Sequence, residues 1–318
     1  MNSGNKGIVN HGNTCYLNSV IQALTHLLFF HPLNKKLKKD IDFSKDKYDL
    51  MRNWLQVNHI MWDNKSGENL NILPYIKVFI NTIKSENLFF QNFNQNDCEE
   101  FITLFFDMIH KILKKDIDCD ITDTEEDKSW EELYKNDYSL IVDKFYSQIK
   151  IENTCKNCNN KLIKYDPVML IQLPINDKTK NINDSIYNFC KKETIDDWKC
   201  DKCDIKTQCE NIYEFKKFSD FLIIQLKRYN IRGKKNNFIE YSDYLNLEKF
   251  INKEGYVYKL ISIIVHSGGL NSGHYYSFCY NLIDNKWRLY NDESVKEIDI
   301  NTVLNQNAYC LFYKKIDT

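Results

Sequence analysis

Two cysteine pairs of identical spacing, Cys155-x-x-Cys158 and Cys200-x-x-Cys203, confine the middle of this 318-residue chain to one geometry. Each two-residue spacer lets both sulfurs converge on one ion, and four thiolates meet the tetrahedral preference of zinc. Four sulfur ligands leave no open coordination position, so the single ion is structural rather than catalytic. The interval between the pairs exceeds that of a compact zinc finger, and the ion therefore ties together the tips of a longer antiparallel extension. The hydrophobic period around the first pair is two: Leu140 to Glu152 and Leu162 to Leu173 read as strands, joined by a turn from Thr154 to Asn160. Ile182 to Lys192 reads as a short helix inside the interval. Cys209 lies near enough to the second pair to be a rival ligand. Cys98, Cys119, Cys190, Cys279 and Cys310 follow no such spacing and read as packing or surface thiols. An odd total of eleven cysteines, four of them in such pairs, suits a reducing compartment rather than a disulfide scaffold.

The N-terminal stretch GIVNHGNTCYLNSVIQALTHLLFF carries apolar residues at Leu17, Val20, Ile21, Leu24, Leu27 and Leu28, the spacing of one buried helical face. Gly12 and Asn13 permit a sharp, partly left-handed turn into it, and Thr14 is placed to act as its N-cap. Cys15 then falls in the first turn, beside unpaired backbone amides whose partial positive charge favours thiolate. The same amides can stabilise an oxyanion, and the side-chain amide of Asn10 can add a second hydrogen bond. Taken alone, a cysteine at a helix start is more commonly a small buried hydrophobe.

Further on, Lys35 to Lys47 reads as a charged connection, Tyr48 to Trp62 as scaffold with an apolar pattern, and Pro74 as the first turn of a helix through Ile76, Phe79, Ile80 and Ile83. In NQNDCEEFITLFFDMIHKIL, Asn96 and Glu99 have capping-box spacing, while Phe101, Leu104, Phe105, Met108 and Ile112 make one apolar face. Asp97 and Glu100 crowd the start of that helix, where carboxylates complement the macrodipole or form a cation-binding rim. Lys114 to Asp137 is acidic with little periodicity and reads as a solvated, flexible loop anchored by Trp130 and Leu133.

The C-terminal third reads as predominantly β. Phe221 to Tyr229 (FLIIQLKRY) has the density of a central strand, Arg232 to Asn237 reads as a turn, and further strands fit Tyr256 to His266, His274 to Asn281, Lys286 to Asn291 and Ala308 to Lys314. Gly268, Gly269 and Gly273 make a mobile loop, and His274 opens the strand that returns from it. A hairpin between that strand and KWRLYN brings Asn291 beside His274, where its amide oxygen accepts a ring N–H and orients the imidazole. A Cys, His, Asn relay results.

On these residues the chain resembles the ubiquitin-specific proteases, a family of papain-like cysteine deubiquitinases. NHGNTCYLNSVIQ is similar to the family's cysteine box, QNDCEEF to its glutamine-aspartate box, the two CxxC pairs to its zinc-binding fingers, LIIQLKRY to its LKRF-type strand, and HSGGLNSGHYYSF with WRLYND to its histidine box. The resemblance spans Gly7 to Tyr313. It implies an α+β right hand with a helical thumb (1–139), zinc-tipped antiparallel β fingers (140–219) and a β palm (220–318), arranged as a minimal catalytic core. It also implies that Cys15 attacks the terminal glycine carbonyl of ubiquitin, that His274 relays the proton, and that Asn10 with the Cys15 amide holds the oxyanion. Asp97 and Glu100 become contacts to the basic ubiquitin tail, Tyr275 flanks its channel, and His266 with the Gly268 to Ser272 loop borders it. QNDCEEF departs from the commoner QQDxxEF at its second position. Asn291 stands at the third triad position, where Asp also occurs, and Asp292 is placed to support the imidazolium electrostatically.

A formal net charge of −1 provides no overall basic excess for a phosphate backbone, which argues against nucleic acid as a partner. No apolar run approaches the roughly 20 residues of a membrane span, and Met1 to Lys6 is polar. The expectation is an intracellular monomer, cytosolic or nuclear, acting on ubiquitin and ubiquitinated proteins. The competing readings are a ubiquitin-binding adaptor without chemistry and a protease for another ubiquitin-like modifier.

Overall fold

The computed structural model describes residues 4–28, 45, 48–63, 71–72, 74, 95–116, 124–230, 233–269 and 272–316. The connection expected over Lys35–Lys47, the body of the helix expected after Pro74, Cys119 and the tip of the glycine loop lie outside the described residues, apart from Lys45.

Helix α1 (Cys15–Leu28) lies at the centre, and every residue of it is buried. A single apolar face does not account for that; its polar side chains are enclosed because each finds a partner. Gln22 Nε2 donates to Lys6 O at 2.8 Å, Ser19 Oγ to Tyr16 O at 2.8 Å, and Thr25 Oγ1 to Gln22 O at 3.1 Å. Hydrogen bonds of this kind cancel the desolvation that would otherwise exclude these groups from a core. The other described helices of the N-terminal part are α2 (Asp49–Trp62), α3 (Cys98–Leu113), α4 (Glu125–Tyr134) and α5 (Leu140–Phe145).

Two of these helices replace other expectations. The acidic stretch read as a loop contains α4, capped by Thr124, whose hydroxyl accepts from Asp127 N, with three acidic residues in its first turn. Trp130 does anchor it, lying 4.8 Å from Tyr134 and beneath Lys217, whereas Leu133 stays exposed. Leu140–Phe145 is a helix rather than a strand because Ser139 Oγ accepts from the amides of Ile141 and Val142. At α3 the N-cap is Asp97, one residue later than the expected Asn96, which instead donates to Tyr16 Oη.

Strands β1 (Ser147–Cys155), β2 (Lys161–Val168), β4 (Glu193–Lys199) and β5 (Lys206–Lys217) form one antiparallel sheet in the order β2-β1-β5-β4. The stretch expected as one strand from Leu162 to Leu173 divides at Met169. Its first part stays in this sheet, and its second, β3 (Leu170–Pro174), crosses to the main sheet. Helix α6 (Ile182–Cys190) follows β3 and precedes β4 in sequence, held by a capping box from Asn181 and Asp184.

The main sheet runs β13-β12-β11-β10-β14-β6-β3, from strands β6 (Phe221–Lys227), β10 (Val257–Gly268), β11 (Gly273–Asn281), β12 (Lys286–Asn291), β13 (Ser294–Ile298) and β14 (Ala308–Lys315), with β9 (Tyr244–Asn246) added against β10, while the short β7 (Tyr229–Asn230) and β8 (Gly233–Lys234) pair with each other. Strand β6 is interior, between β14 and β3. Its residues alternate between two cores: Phe221 and Ile223 pack with α1, α3 and α5, while Leu222, Ile224 and Leu226 pack with α6. Strand β14 repeats this, with Cys310 and Phe312 on the first face and Leu311 and Tyr313 on the second. Burial on both faces is why these strands read as unbroken apolar runs.

His26 of α1 joins the two halves of the chain. Its Nδ1 lies 2.8 Å from Gln22 O and its Nε2 3.0 Å from Tyr290 Oη, and that hydroxyl donates to Gly4 O at 2.7 Å. Full burial pulls the imidazole down from 6.5 to about 4. The unfolded chain therefore binds more protons in this interval, and stability present above pH 6.5 is lost as pH falls toward 4, by roughly 3 kcal/mol in total. Urea unfolding across this range should show that loss, and His26→Asn should flatten it while lowering stability at pH 7 by about 1–3 kcal/mol. An unchanged pH slope in His26→Asn would refute the assignment.

Candidate active site

The site is built on the turn between β12 and β13. Asn291 pairs with Ser294, so Asp292 and Glu293 make a two-residue hairpin turn, and Asp292 takes a left-handed backbone with φ +48°. The N-terminal segment runs against this turn: Ile8 N donates to Asp292 O at 2.8 Å, and a Cβ at Gly7 would fall 2.4 Å from Glu293 O. The Asp292 carboxylate is then held at both oxygens, by Asn10 Nδ2 and by Asn18 Nδ2, each at 2.8 Å.

His274 stands at the start of β11, next to β12. Its Nε2–H donates to Asn291 Oδ1 at 2.6 Å, and the same nitrogen lies 3.8 Å from Asp292 Oδ2. This bond fixes the tautomer and leaves Nδ1 with a free lone pair. Cys15 is the first residue of α1, and its sulfur accepts from the backbone amide of Tyr275, the residue after His274. The thiol thus lies against the backbone next to His274, although Asn291 and Cys15 are separated by nearly the whole chain.

The thiol itself behaves differently from the expectation of a depressed pKa. Helix-end amides of Cys15 and Tyr16 and the amide of Tyr275 do pull it down, but burial outweighs them and the Asp292 carboxylate adds to the rise, so Cys15 stands above its ordinary value of 9.0. The turn before it also differs in detail. Gly12 and Asn13 have φ of +86° and +56°, as the sequence required. The Thr14 hydroxyl turns backward instead of capping the helix, accepting from His11 N at 3.0 Å and donating to Asn10 Oδ1 at 3.1 Å. Asn10 is a strut: its oxygen also accepts from Gly12 N at 2.9 Å while its Nδ2 holds Asp292.

Cys15 opens onto a cleft of about 430 Å³ whose lining includes Gln95, Asp97, Tyr229, His266, Tyr275 and Tyr309. Asp97 caps α3 through Oδ1, and its Oδ2 accepts from Tyr309 Oη at 2.7 Å; Tyr275 also hydrogen-bonds the carboxyl, which burial still holds above the ordinary carboxylate range. Glu100 is exposed in the first turn of α3 and is raised by partial burial and by Asp97. The His266 ring lies 4.4 Å from that of Tyr275, and Tyr229 Oη bonds its Nδ1. Burial and Lys234 pull His266 down to about 4, so it is neutral at pH 7.

Several of these groups escaped the sequence reading. Asn18 sits one helical turn after Cys15, and nothing in the sequence sets it apart from the other polar residues of that helix, Ser19, Gln22, Thr25 and His26. Gln95 and Tyr229 stand in the stretches QNDCEEF and LIIQLKRY without being singled out as cleft residues, and Tyr309 comes from a third, distant segment.

At the far end of the β1/β5 sheet, two hairpin turns of the same construction stand side by side. Cys155 N donates to Asn160 O and Asn159 N to Cys155 O; in parallel, Cys200 N donates to Ile205 O and Asp204 N to Cys200 O. Asn159 and Asp204 are both left-handed, with φ of +56° and +52°. Cys155, Cys158, Cys200 and Cys203 converge with all sulfurs within 4.8 Å of one another, positioned to hold a metal ion. Cys209 pairs across the sheet with Cys155 but is not part of the cluster.

A sequence model described as ubiquitin carboxyl-terminal hydrolase matches residues 6–313. The chain is 26% identical to ubiquitin carboxyl-terminal hydrolase Usp2 of Drosophila melanogaster over 97% of its own length and 34% of that protein's. It is 28% identical to ubiquitin carboxyl-terminal hydrolase 2 of Bos taurus over 98% of its length and 55% of the relative's. The chain thus spans between a third and just over half of these relatives. Its fold is similar to a chain of the SAGA DUB module of Ubp8, Sgf11, Sus1 and Sgf73 bound to monoubiquitin, with TM-score 0.78 and 22% identity over 99% of this chain and 70% of that one. The family match runs through both walls of the cleft and through the finger sheet between them, and the chain therefore belongs to the ubiquitin carboxyl-terminal hydrolase family.

Proposed function

We propose that the chain is a cysteine-type deubiquitinase that hydrolyses the isopeptide bond at the C-terminal glycine of ubiquitin. The observation that carries this is the pairing of His274 with Asn291 beside Cys15, which leaves one imidazole nitrogen free to act as base. In this reading His274 Nδ1 takes the Cys15 proton as the sulfur attacks the glycine carbonyl, and the tetrahedral oxyanion is held by the Cys15 amide and the second Nδ2 proton of Asn10. His274 then protonates the departing amine, and water, activated by the same imidazole, hydrolyses the thioester. The Asp292 carboxylate lies 3.8 Å from His274 Nε2 and raises the Cys15 thiol. Asp97 and Glu100 face the basic ubiquitin tail, and Tyr275 and His266 border its channel between a thumb of residues 1–139 and a palm of 220–318.

The four cysteines of the finger region, 140–219, suit zinc. A tetrahedron with 2.3 Å Zn–S bonds has edges of about 3.8 Å, and the Cys155–Cys203 and Cys158–Cys200 sulfurs are 3.9 Å and 3.7 Å apart. The ion would hold the two turns together and take no part in the reaction. Among the described residues no helix is long and apolar enough to cross a membrane, and we place the protein in the cytosol or nucleus as a monomer.

Ubiquitin carrying a C-terminal electrophile should label the reduced protein at Cys15. Cys15→Ala should give no adduct and no turnover while still binding ubiquitin, and retained turnover would refute the mechanism. Labelling by a ubiquitin-like modifier probe alone would reassign the substrate.

The raised thiol makes a separate claim about pH. Alkylation of Cys15 by iodoacetamide, followed by peptide mapping, should accelerate about tenfold per pH step between 7 and 9. Asp292→Asn should move the profile to lower pH, because it removes a carboxylate that raises the thiol. A plateau from pH 6 upward would show a preformed thiolate instead.

Metal analysis should find about one zinc per chain. Cys155→Ser or Cys200→Ser should lose it and lower the melting temperature; a metal-free preparation that stays folded and active would contradict an essential ion.

A further inference from the structure

Asp97 is braced by a chain of donors that the proposed mechanism leaves unused. Gln225, buried in the interior strand β6, pairs with Cys310 of β14, and its Nε2 donates to the hydroxyl of Tyr309 at 2.7 Å. Tyr309 Oη donates in turn to Asp97 Oδ2 at 2.7 Å, while the amide of Glu99 donates to Oδ1 at 2.8 Å. Strands β6 and β14 and helix α3 thus converge on one carboxylate. Tyr309 and Asp97 both line the Cys15 cleft, and Gln225 stands outside that lining.

The direction of this chain follows from its ends. An ionised carboxylate only accepts, so the single hydroxyl proton of Tyr309 points at Asp97, and the group on the other side of Tyr309 has to donate to its oxygen. With the carboxamide of Gln225 turned the other way, two acceptors would face one proton. The orientation that is kept leaves Gln225 Oε1 buried with no partner among the described residues, an arrangement unfavourable for the glutamine alone. Its N–H therefore serves the Tyr309 hydroxyl rather than the packing of its own strand. The phenol remains a donor, because burial and the Asp97 charge both raise Tyr309 well above the ordinary tyrosine value. Its ring is enclosed as well, lying 5.6 Å from that of Tyr229 and 6.2 Å from that of Tyr275.

We propose that Tyr309 is a positioning residue for substrate binding: directed by Gln225, its hydroxyl holds the Asp97 carboxylate in the orientation that receives an N–H donor of the ubiquitin tail. This rests on the assignment of Asp97 as a tail contact under Proposed function. A carboxylate has about four acceptor sites, and Glu99 N, Tyr309 and Tyr275 occupy three of them. The group is thereby locked with one lone pair left for a ligand. Without the Tyr309 bond the carboxylate gains freedom to turn, and a donor arriving in the cleft has to order it at the moment of binding.

The test is labelling of Cys15 in the full chain by ubiquitin carrying a C-terminal electrophile, followed against probe concentration so that the half-saturating concentration and the limiting rate are read separately. Tyr309→Phe removes one oxygen and keeps the ring; it should raise the half-saturating concentration about tenfold or more and leave the limiting rate within about twofold. In an Asp97→Asn background the same substitution should add less than about twofold, because the group it acts through is already changed. Gln225→Met removes the directing N–H and should shift the same constant in the same direction by about threefold, which decides the matter if Tyr309→Phe does not fold. Alkylation by iodoacetamide at the wild-type rate shows in each variant that the thiol is intact. An unchanged or lowered half-saturating concentration, a loss confined to the limiting rate, or an equal loss in both Asp97 backgrounds would overturn the positioning role. A wild type that does not label at all would overturn the deubiquitinase assignment and this inference with it, an outcome distinct from a labelled wild type matched by its variants.

Discussion

The Asp292 carboxylate is the joint on which the site depends. It is held by Asn10 and Asn18, and its backbone oxygen by Ile8, so that residues more than 270 positions apart in sequence share one small network. Charge-assisted bonds of this kind contribute about 1.5–3 kcal/mol each when buried. They fix the turn that carries Asn291 against the helix start that carries Cys15. The placement of the His274–Asn291 pair relative to Cys15 therefore depends on the Asp292 carboxylate. The same charge has an electrostatic effect, since it lies near enough to raise the thiol and within 3.8 Å of the imidazole it would support.

That joint is stiff because its surroundings are packed on both sides of the sheet. Helix α1 contributes Leu17, Val20, Leu24 and Leu27 to one core, and the alternate residues of β6, β10 and β14 reach it from the strands while their neighbours fill the second core. Fully enclosed strands have little freedom to slip, because a one-residue shift exchanges the two faces. Edge positions are treated differently. Pro167 lies in β2 and Pro174 in β3, each the outermost strand of its sheet, where a missing N–H costs no ladder bond on the outer side.

Legibility in the sequence followed the range of the interaction. The CxxC turns, the left-handed Gly12–Asn13 bend and the His274–Asn291 pairing were readable because each rests on residue chemistry over short spacings or across one hairpin. Leu140–Phe145 was misread because six residues cannot separate a period of two from one of 3.6, and the deciding signal was the Ser139 cap. The strand expected through Leu173 divides because β3 pairs in parallel with β6, a partner some fifty residues away. The direction of the Cys15 shift was illegible for a related reason. Helix-end amides are local and visible in sequence, whereas the burial and the carboxylate that outweigh them come from the tertiary structure.

The narrowness of the cleft likewise comes from what residues lack. Gly268 and Gly273 face each other across β10 and β11, and a Cβ on Gly273 would lie 2.2 Å from His266 Nε2 and 2.6 Å from Ser267 O. The imidazole of His266 can stand against Tyr275 only because that position carries no side chain. Gln95 reaches the same glycine from the helical side, with its amide near Gly273 O at 3.5 Å and its oxygen 3.3 Å from Gly273 N. Both walls thus meet at a residue with nothing beyond its backbone, where an added Cβ would fall on His266 and on the backbone of Ser267.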